Sequence, residues 1–355
     1  GGAWFHTREL WVQNEDSAAL AHHVERRSFR ELVAGATLGP RSPADARRAL
    51  HVSPGLTVEL VACEPGVQDP IAFDWDARGR LFVVEMGDYP TGARGSGRVK
   101  LCEDRDQDGS FEHATTFLDG LAFPSGVAPW RDGVLVTCAP DIFFARDTDG
   151  DGAADERRVL YTGFVEGNPQ HRVNGLWWGL DGWYWGANGD SGGEIVAVET
   201  GERADISGRD FRIQPDTGRI EAVTGMTQFG RTRDDWGNWF GGNNSEPFRH
   251  YWLEERYLAR TPLPDAPAPR ADVALESGAA AVFPLTPRQD RFNDPWALDR
   301  FTSACSPSIY RDTLLGPAYA GNMFVCEPVH NLVHREVLER ADASFTSRRA
   351  ASEQA

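Results

Sequence analysis

The chain has 355 residues, 41% of them hydrophobic, with 37 glycines, 22 prolines and a formal net charge of −17. That acidity argues against a nucleic-acid partner, because phosphate contacts need clustered Lys and Arg, and Lys100 is the only lysine. No apolar run reaches the roughly 18 residues of a helical membrane span, and the opening Gly1-Gly2 shows no signal-peptide pattern.

Residues 1–50 read as a helical lead-in or the end of a preceding domain. SAALAHHVERRSFRELVAGA (17–36) has a helical pattern. SPADARRAL (42–50) predicts a second helix, with Ser42 as N-cap and Pro43 in the first turn.

From residue 51 one grammar recurs: a Gly-containing tight turn, a short apolar strand, a polar turn, then a second strand. The five copies are GRLFVVEMGDY (79–89), DGVLVTCAPDIFFAR (132–146), DGWYWGANGDSGGEIVAV (181–198), WGNWFGGNNSEPFRHYWL (236–253) and GNMFVCEPVHNLVHREVL (321–338). Their turn glycines, Gly79, Gly133, Gly182, Gly237 and Gly321, are spaced by 54, 49, 55 and 84 residues. About 50 residues per unit suits a four-stranded propeller blade. PLPDAPAPR (262–270) in the long interval reads as a loop insertion. The fold class expected is all-β, a six-bladed β-propeller over 51–355 with about five blades visible. A sixth blade would need more chain, so the sequence reads as truncated after Ala355.

In a propeller, bulky aromatics fill the wedges between blades, so Trp177, Trp178, Trp183 and Trp185 are expected in the core. The polar turns after each inner strand carry Asp88 and Tyr89, Asp141, Gly189 and Asp190, Asn243 and Asn244, and Glu327 and His330. Five such turns converge on one mouth of the central channel and form a polar cup. His171 precedes one strand and Asp190 follows its antiparallel neighbour, so both reach the same rim. A carboxylate beside a histidine holds the imidazole and raises its basicity.

DRDQDGSFE (104–112) and DTDGDGAAD (147–155) alternate carboxylates around a bend glycine, which is calcium-loop chemistry. The expected ligands are Asp104, Asp106, Asp108 and Glu112 in the first loop, where Arg105 competes, and Asp147, Asp149, Asp151 and Asp155 in the second. The ions would be structural, away from the cup. Cys63, Cys102, Cys138, Cys305 and Cys326 form no CxxC or CxxCH, so neither a zinc knuckle nor a haem c attachment is present. Cys305 and Cys326 read equally well as a cross-strand bridge or as free thiols.

VELVACEPGVQDPIAFDWDARGRLFVVEMGDYP, HRVNGLWWGLDGWYWGANGDSGG, FGRTRDDWGNWFGGNNS and FVCEPVHNLVHRE resemble the propeller module of the membrane-bound dehydrogenases of planctomycetes and verrucomicrobia. The resemblance implies an exported, periplasmic or cell-surface location and a parent protein with a haem c domain elsewhere. That module is similar in turn to the soluble glucose and sorbosone dehydrogenases, which use pyrroloquinoline quinone (PQQ) and calcium. This implies His171 as general base and Asp190 as its support. The sequence departs from the pattern at GMTQFGR (225–231), which lacks the expected arginine. Gln228 and Arg231 are the candidates to replace it.

The first expectation is therefore a quinoprotein-type dehydrogenase of a sugar or alcohol, passing electrons to a haem c domain or cytochrome c. Asn174, Asn188, Asn243, Asn244, Glu327 and His330 would shape its cup, with Arg231 and Gln228 toward the cofactor. The second is a non-catalytic propeller binding carbohydrate or a protein partner. The third is a calcium-dependent lactonase-like hydrolase using Glu85, Asn188, Asn244 and Asp190.

Overall fold

The computed structural model describes residues 41–90, 92–260, 267–275, 281–282 and 300–350. The expected helix at 17–36, part of the 262–270 insertion and the last residues of the tail lie outside these. The chain divides into two compact units, Gly1–Glu59 with Leu285–Leu298, and Leu60–Pro284 with Asp299–Ala355. In the first, helix α1 (Pro43–Arg48) is capped as expected, the Asp45 N–H donating to Ser42 Oγ at 3.2 Å.

The second unit is an all-β propeller of antiparallel sheets, five of them among the described residues. Sheet 1 holds β1 (Pro70–Trp75), β2 (Leu81–Glu85), β3 (Gly97–Glu103) and β4 (His113–Leu121). Sheet 2 begins with β5 (Gly126–Trp130), β6 (Gly133–Cys138), β7 (Asp141–Arg146) and β8 (Glu156–Phe164). It is extended by β11 (Gly193–Ala197) and β12 (Arg203–Asp205). Sheet 3 holds β9 (Asn174–Trp178), β10 (Tyr184–Ala187), β13 (Asp210–Gln214) and β14 (Arg219–Val223). Sheet 4 holds β15 (Thr232–Arg233), β16 (Trp239–Gly241), β17 (Arg249–Tyr251) and, after helix α2 (Glu255–Arg260), β18 (Ala271–Asp272). Sheet 5 holds β19 (Cys305–Ile309), β20 (Met323–Glu327), β21 (Leu332–Ala341) and β22 (Ser344–Arg348).

The apolar residues explain why the sheets stack. Phe82, Val99 and Leu101 of sheet 1 pack on Val134, Val136 and Phe143 of sheet 2. Leu135 and Tyr161 of sheet 2 share a cluster with Phe211 and Ile213 of sheet 3. Trp183, Trp185 and Val223 meet Trp239 and Tyr251 of sheet 4, and Phe240 and Phe248 meet Met323 and Val325 of sheet 5. Each interface between successive blades is thus its own core. A fully buried Phe or Leu there contributes about 1.5–3 kcal/mol. The first strands β1, β5 and β9 touch in turn, as do β15 and β19, so they are the inner strands.

Four of the turn glycines, Gly79, Gly182, Gly237 and Gly321, sit at positive φ (79°, 77°, 83° and 74°). One repeat unit behaves differently from its sequence pattern. Within 181–198 the two strands do not pair with each other: β10 stays in sheet 3, while β11 crosses to pair with β8 of sheet 2. The cause is the turn between them, where Gly189, Asp190, Gly192 and Gly193 take φ of 71°, 63°, 70° and 143° and swing the chain out of its sheet. The expected tryptophan core also divides. Trp183 and Trp185 are buried between sheets 3 and 4, whereas Trp177 and Trp178, the last residues of β9, are 39% and 49% exposed although Trp177 lies opposite Trp185 in the ladder.

Candidate functional site

Strand polarity sorts the loops. His171 precedes β9, Asp190 follows β10, and these strands pair antiparallel with Asn174 opposite Ala187. Both residues therefore lie at one end of sheet 3. The same end carries the segments leading into β5, β15 and β19, and the β2–β3, β16–β17 and β20–β21 connections. This is the mouth on which Asp88, Gln228, Asn243, Asn244, Glu327 and His330 gather. The two acidic loops join third to fourth strands, β3 to β4 and β7 to β8, so they lie at the opposite end.

A relay of hydrogen bonds crosses the mouth from sheet 3 to sheet 5. The Gln228 side-chain oxygen accepts from Asn244 N at 3.0 Å, which orients its amide. The amide nitrogen then donates to His171 Nε2 at 2.8 Å. An amide NH2 only donates, so Nε2 accepts and the ring proton resides on Nδ1. Asn244 continues the relay, its carbonyl accepting from Ala304 N at 3.0 Å. The His171 carbonyl accepts from Ser191 Oγ, which ties the histidine loop to the Asp190 turn.

Asp190 is exposed. Its N–H donates to Asn188 Oδ1 at 2.7 Å. Gly189 before it has no alternative, since a Cβ there would collide with the Arg172 backbone. Desolvation raises the Asp190 carboxyl pKa, and the His171 charge opposes that rise. Among the described residues no hydrogen bond joins Asp190 to His171; the ring is held by Gln228 instead.

Several expected cup residues are consumed by the fold. Asn174 donates to the Arg172 and Gln228 carbonyls at 2.8 Å each and accepts from Gly230 N at 2.8 Å, tying the inner strands of sheets 3 and 4. Asn188 donates its side-chain N–H to the Ile206 carbonyl. Asn243 closes its own turn, accepting from Ser245 and Glu246 backbone N–H. Glu85 accepts from Gln68 N and pairs with Arg98. His330 lies 3.1 Å from the Arg300 carbonyl through Nε2, which must therefore carry a proton. Glu327 is buried; Oε2 accepts from Thr302 and Ser303 N–H, and Oε1 has no partner.

Arg231 lies off the mouth. Its side chain and that of Asp210 are both 0% exposed and pair at 2.6 Å. The guanidinium stacks on Trp185, Trp239 and Tyr251 at 5.1, 5.1 and 4.8 Å. Its charge is thus spent inside the blade interface and is not offered to a ligand. Asp210, which no motif signalled, is the hub of this region: it also accepts from Asn188 N, Thr227 N and Thr227 Oγ1. Lys100 bonds Thr116 Oγ1 at 3.0 Å on sheet 1.

The cation the sequence reading missed is Arg172, next to His171. It is buried, donates through Nη2 to the Glu166 carbonyl at 2.6 Å, and leaves Nε and Nη1 buried without a partner. Desolvation pulls its pKa down. Two idle N–H groups on a buried guanidinium fit a carboxylate or phosphate oxygen. Arg231 likewise leaves Nε and Nη2 buried without a partner, but its side chain is 0% exposed and already paired with Asp210, so Arg172, at the mouth end of β9, is the cation better placed for an anionic ligand.

At the opposite end the ligand atoms of Asp104, Asp106 and Asp108 lie within 4.8 Å of one another, as do those of Asp147, Asp149 and Asp151. Either triad can hold a metal ion. Glu112 and Asp155 stand outside the triads: Glu112 accepts from Arg105 N, and Asp155 accepts from Thr148 N and Oγ1. Arg105 does not compete for the carboxylates, because its guanidinium turns to Glu103 and His113. Cys305 and Cys326 are opposite one another on β19 and β20 and are free thiols.

With this geometry in place, comparison with known proteins gives one decisive match. A family described as a domain of unknown function, DUF7133, matches residues 42–355. The chain belongs to this family. No curated protein matches. Among solved structures, similarity extends to the PQQ-bound aldose sugar dehydrogenase of Streptomyces coelicolor, at 13% identity over 82% of this chain and 84% of that one, TM-score 0.42. It extends also to the PQQ domain of pyranose dehydrogenase from Coprinopsis cinerea, at 14% identity over 85% and 83%, TM-score 0.42. A virginiamycin B lyase from Staphylococcus aureus is similar to the same degree, at 12% identity over 82% and 74%, TM-score 0.41. Likeness of this degree leaves the activity of the DUF7133 chain to be argued from its own site.

Proposed function

We propose that the chain is a dehydrogenase that oxidises a hydroxyl of a sugar or alcohol at the mouth of the propeller, with His171 as the base. The observation that carries this reading is the Gln228 contact at Nε2 of His171. Of the two mouth histidines, His330 uses its Nε2 proton on a carbonyl. Among the described mouth residues His171 has its Nε2 as the accepting nitrogen, in place to take a hydroxyl proton once substrate displaces the Gln228 amide. Asp190, at the same rim, adds negative charge that stabilises the imidazolium. Asn244 offers its side-chain amide to a neighbouring hydroxyl.

By the sequence resemblance, PQQ is the hydride acceptor, and when bound it supplies the two-electron oxidation. Arg172 is the residue of this chain that would hold one of its carboxylates. A haem c domain or cytochrome c would take the electrons onward, in a periplasmic or cell-surface setting, with calcium in the acidic loops. The non-catalytic reading is favoured by one observation, the burial of Arg231 against Asp210, which leaves the expected cofactor arginine unfilled.

Purified protein mixed with PQQ and calcium separates the two. Dye reduction over an aldose and alcohol panel, lost in His171→Ala while the quinone spectrum still shifts on binding, supports the dehydrogenase. Absence of both quinone binding and dye reduction transfers the mouth to the non-catalytic reading.

A further inference from the structure

The blade interface that buries Arg231 opens, at the end away from the mouth, into a cavity of about 280 Å³. Its position follows from the strand order. Leu180 and Asp181 belong to the β9–β10 turn, and Trp236 and Asn238 to the β15–β16 turn. Both turns lie at the far end of their strands from His171 and Asp190. The cavity therefore shares no residue with the site described above.

Its walls are aromatic. Trp185 and Trp239 stack at 4.7 Å and 26°, and form the floor with Tyr251. Trp252 and Trp236 close the sides, and Trp236 is 82% exposed. Its indole face is therefore open to a ligand that enters the cavity.

The charges around the cavity select the kind of partner. A cationic ligand is disfavoured, because cations already cover the aromatic faces: Arg231 lies over Trp185, Trp239 and Tyr251, and Arg212 lies 5.1 Å from the Trp185 ring. An anionic ligand is disfavoured as well, because Arg212 is spent on Asp181 at 2.8 Å and Glu221 at 2.5 Å. At the rim stand the Glu254 carboxyl, which also takes the Thr224 N–H, the Arg256 guanidinium, 5.2 Å from the Tyr257 ring, and Asn238, whose amide nitrogen donates to Asp234 and leaves its oxygen for a ligand. These accept and donate hydrogen bonds with no net charge. The volume is below the roughly 300–1,000 Å³ of sites for drug-sized molecules, so the occupant is small.

A small neutral ligand with one apolar face and a ring of hydroxyls meets all of these conditions. We propose that this cavity is a carbohydrate-binding site, taking a pyranose ring or a disaccharide end by stacking its C–H face on Trp236 while Glu254, Arg256 and Asn238 meet its hydroxyls. It is a binding site only, on the opposite end of the propeller from the mouth, and it does not depend on the mouth being an enzyme. It would hold a sugar polymer or glycan against the protein.

The test is saturation-transfer NMR titration with four probes: D-glucose, cellobiose, maltose and N,N′-diacetylchitobiose. At least one is expected to bind with a dissociation constant of about 1 mM. Trp236→Ala weakens that binding at least about tenfold, Trp236→Phe restores part of it, and His171→Ala leaves it unchanged. Trp236 is exposed enough that its replacement leaves the melting temperature unmoved, which the same samples check. The proposal is overturned if none of the four sugars binds, if Trp236→Ala binds as tightly as the parent, or if binding is lost in His171→Ala instead.

Discussion

Gln228 donates its side-chain N–H to Nε2 of His171 at 2.8 Å, and this contact sets which ring nitrogen carries the proton. Replacing the donor by an acceptor reverses the arrangement. In Gln228→Glu the carboxylate faces Nε2 and attracts a proton to it, as a neighbouring opposite charge does. Long-range proton–nitrogen NMR of His171 is expected to show a bare Nε2 in the parent and a protonated Nε2 in the variant. Dehydrogenase turnover at neutral pH falls in the variant and recovers as pH is raised, because a base must first lose that proton. An unchanged ring spectrum would remove the tautomer assignment and the base role with it.

The Arg231–Asp210 pair makes the opposite kind of prediction. Both side chains are 0% exposed, and breaking a buried pair from one side strands the other charge. Arg231→Met is therefore expected to lose about 3–5 kcal/mol of stability, read as a shifted urea midpoint. Asp210→Asn loses a comparable amount, since Arg231 is stranded in turn. Quinone binding, where the protein remains folded, stays unchanged in Arg231→Met. Lost quinone binding with no stability loss would mean that the arginine faces the mouth after all.

Acid sensitivity is expected from His250, buried on β17, stacked on Phe240 at 4.9 Å and 2.9 Å from Ser344 Oγ through Nδ1. Desolvation lowers its pKa from 6.5 to about 4. Above pH 6.5 the ring is neutral in both folded and unfolded chains and contributes no pH dependence. As pH falls from 6.5 toward 4 only the unfolded chain takes up the proton, so stability is lost across that window, by about 3 kcal/mol at full extent. His250→Gln is expected to flatten the slope of unfolding free energy between pH 7 and pH 4.5 relative to the parent. Parallel slopes for the two proteins would refute it.

These outcomes also mark how far the sequence could be read. The repeat of turn glycine, apolar strand and polar turn is a local pattern, so the propeller and the end on which His171, Asp190 and Gln228 gather were legible. Whether a polar atom is free is not a local property. Asn174 and Asn188 look like cup residues, yet their hydrogen bonds end on backbone brought in from other loops. Arg231 looks like a cofactor contact until Asp210, twenty-one positions away, appears beside it. The tryptophans show the same limit: four near neighbours in sequence divide into a buried pair on β10 and its entry turn, which meets Trp239 and Tyr251, and an exposed pair on β9, which meets neither.

Calcium binding is the expectation for loop geometry repeated in two adjacent blades. In the first loop Asp104 Oδ2 accepts from Gly109 N at 2.9 Å, and in the second Asp147 Oδ2 accepts from Gly152 N at 2.9 Å. Each brings its third carboxylate, Asp108 or Asp151, within 4.8 Å of the first. The second loop also rests on sheet 1, with Ala154 N donating to the Phe117 carbonyl at 2.8 Å, so an ion there would brace two blades. Calcium at a hundredfold excess over its dissociation constant is expected to add about 2.7 kcal/mol, raising the melting temperature by about 5 °C or more. Asp147→Asn combined with Asp149→Asn removes two of three carboxylates and should abolish the part of the rise due to that loop. The matching pair in the first loop, Asp104→Asn with Asp106→Asn, removes the remainder, because Arg105 is engaged by Glu103 and His113 and does not shield it. Magnesium, which prefers tighter octahedral geometry, should give a smaller rise. A melting temperature unmoved by millimolar calcium would show that both triads are solvated acidic turns.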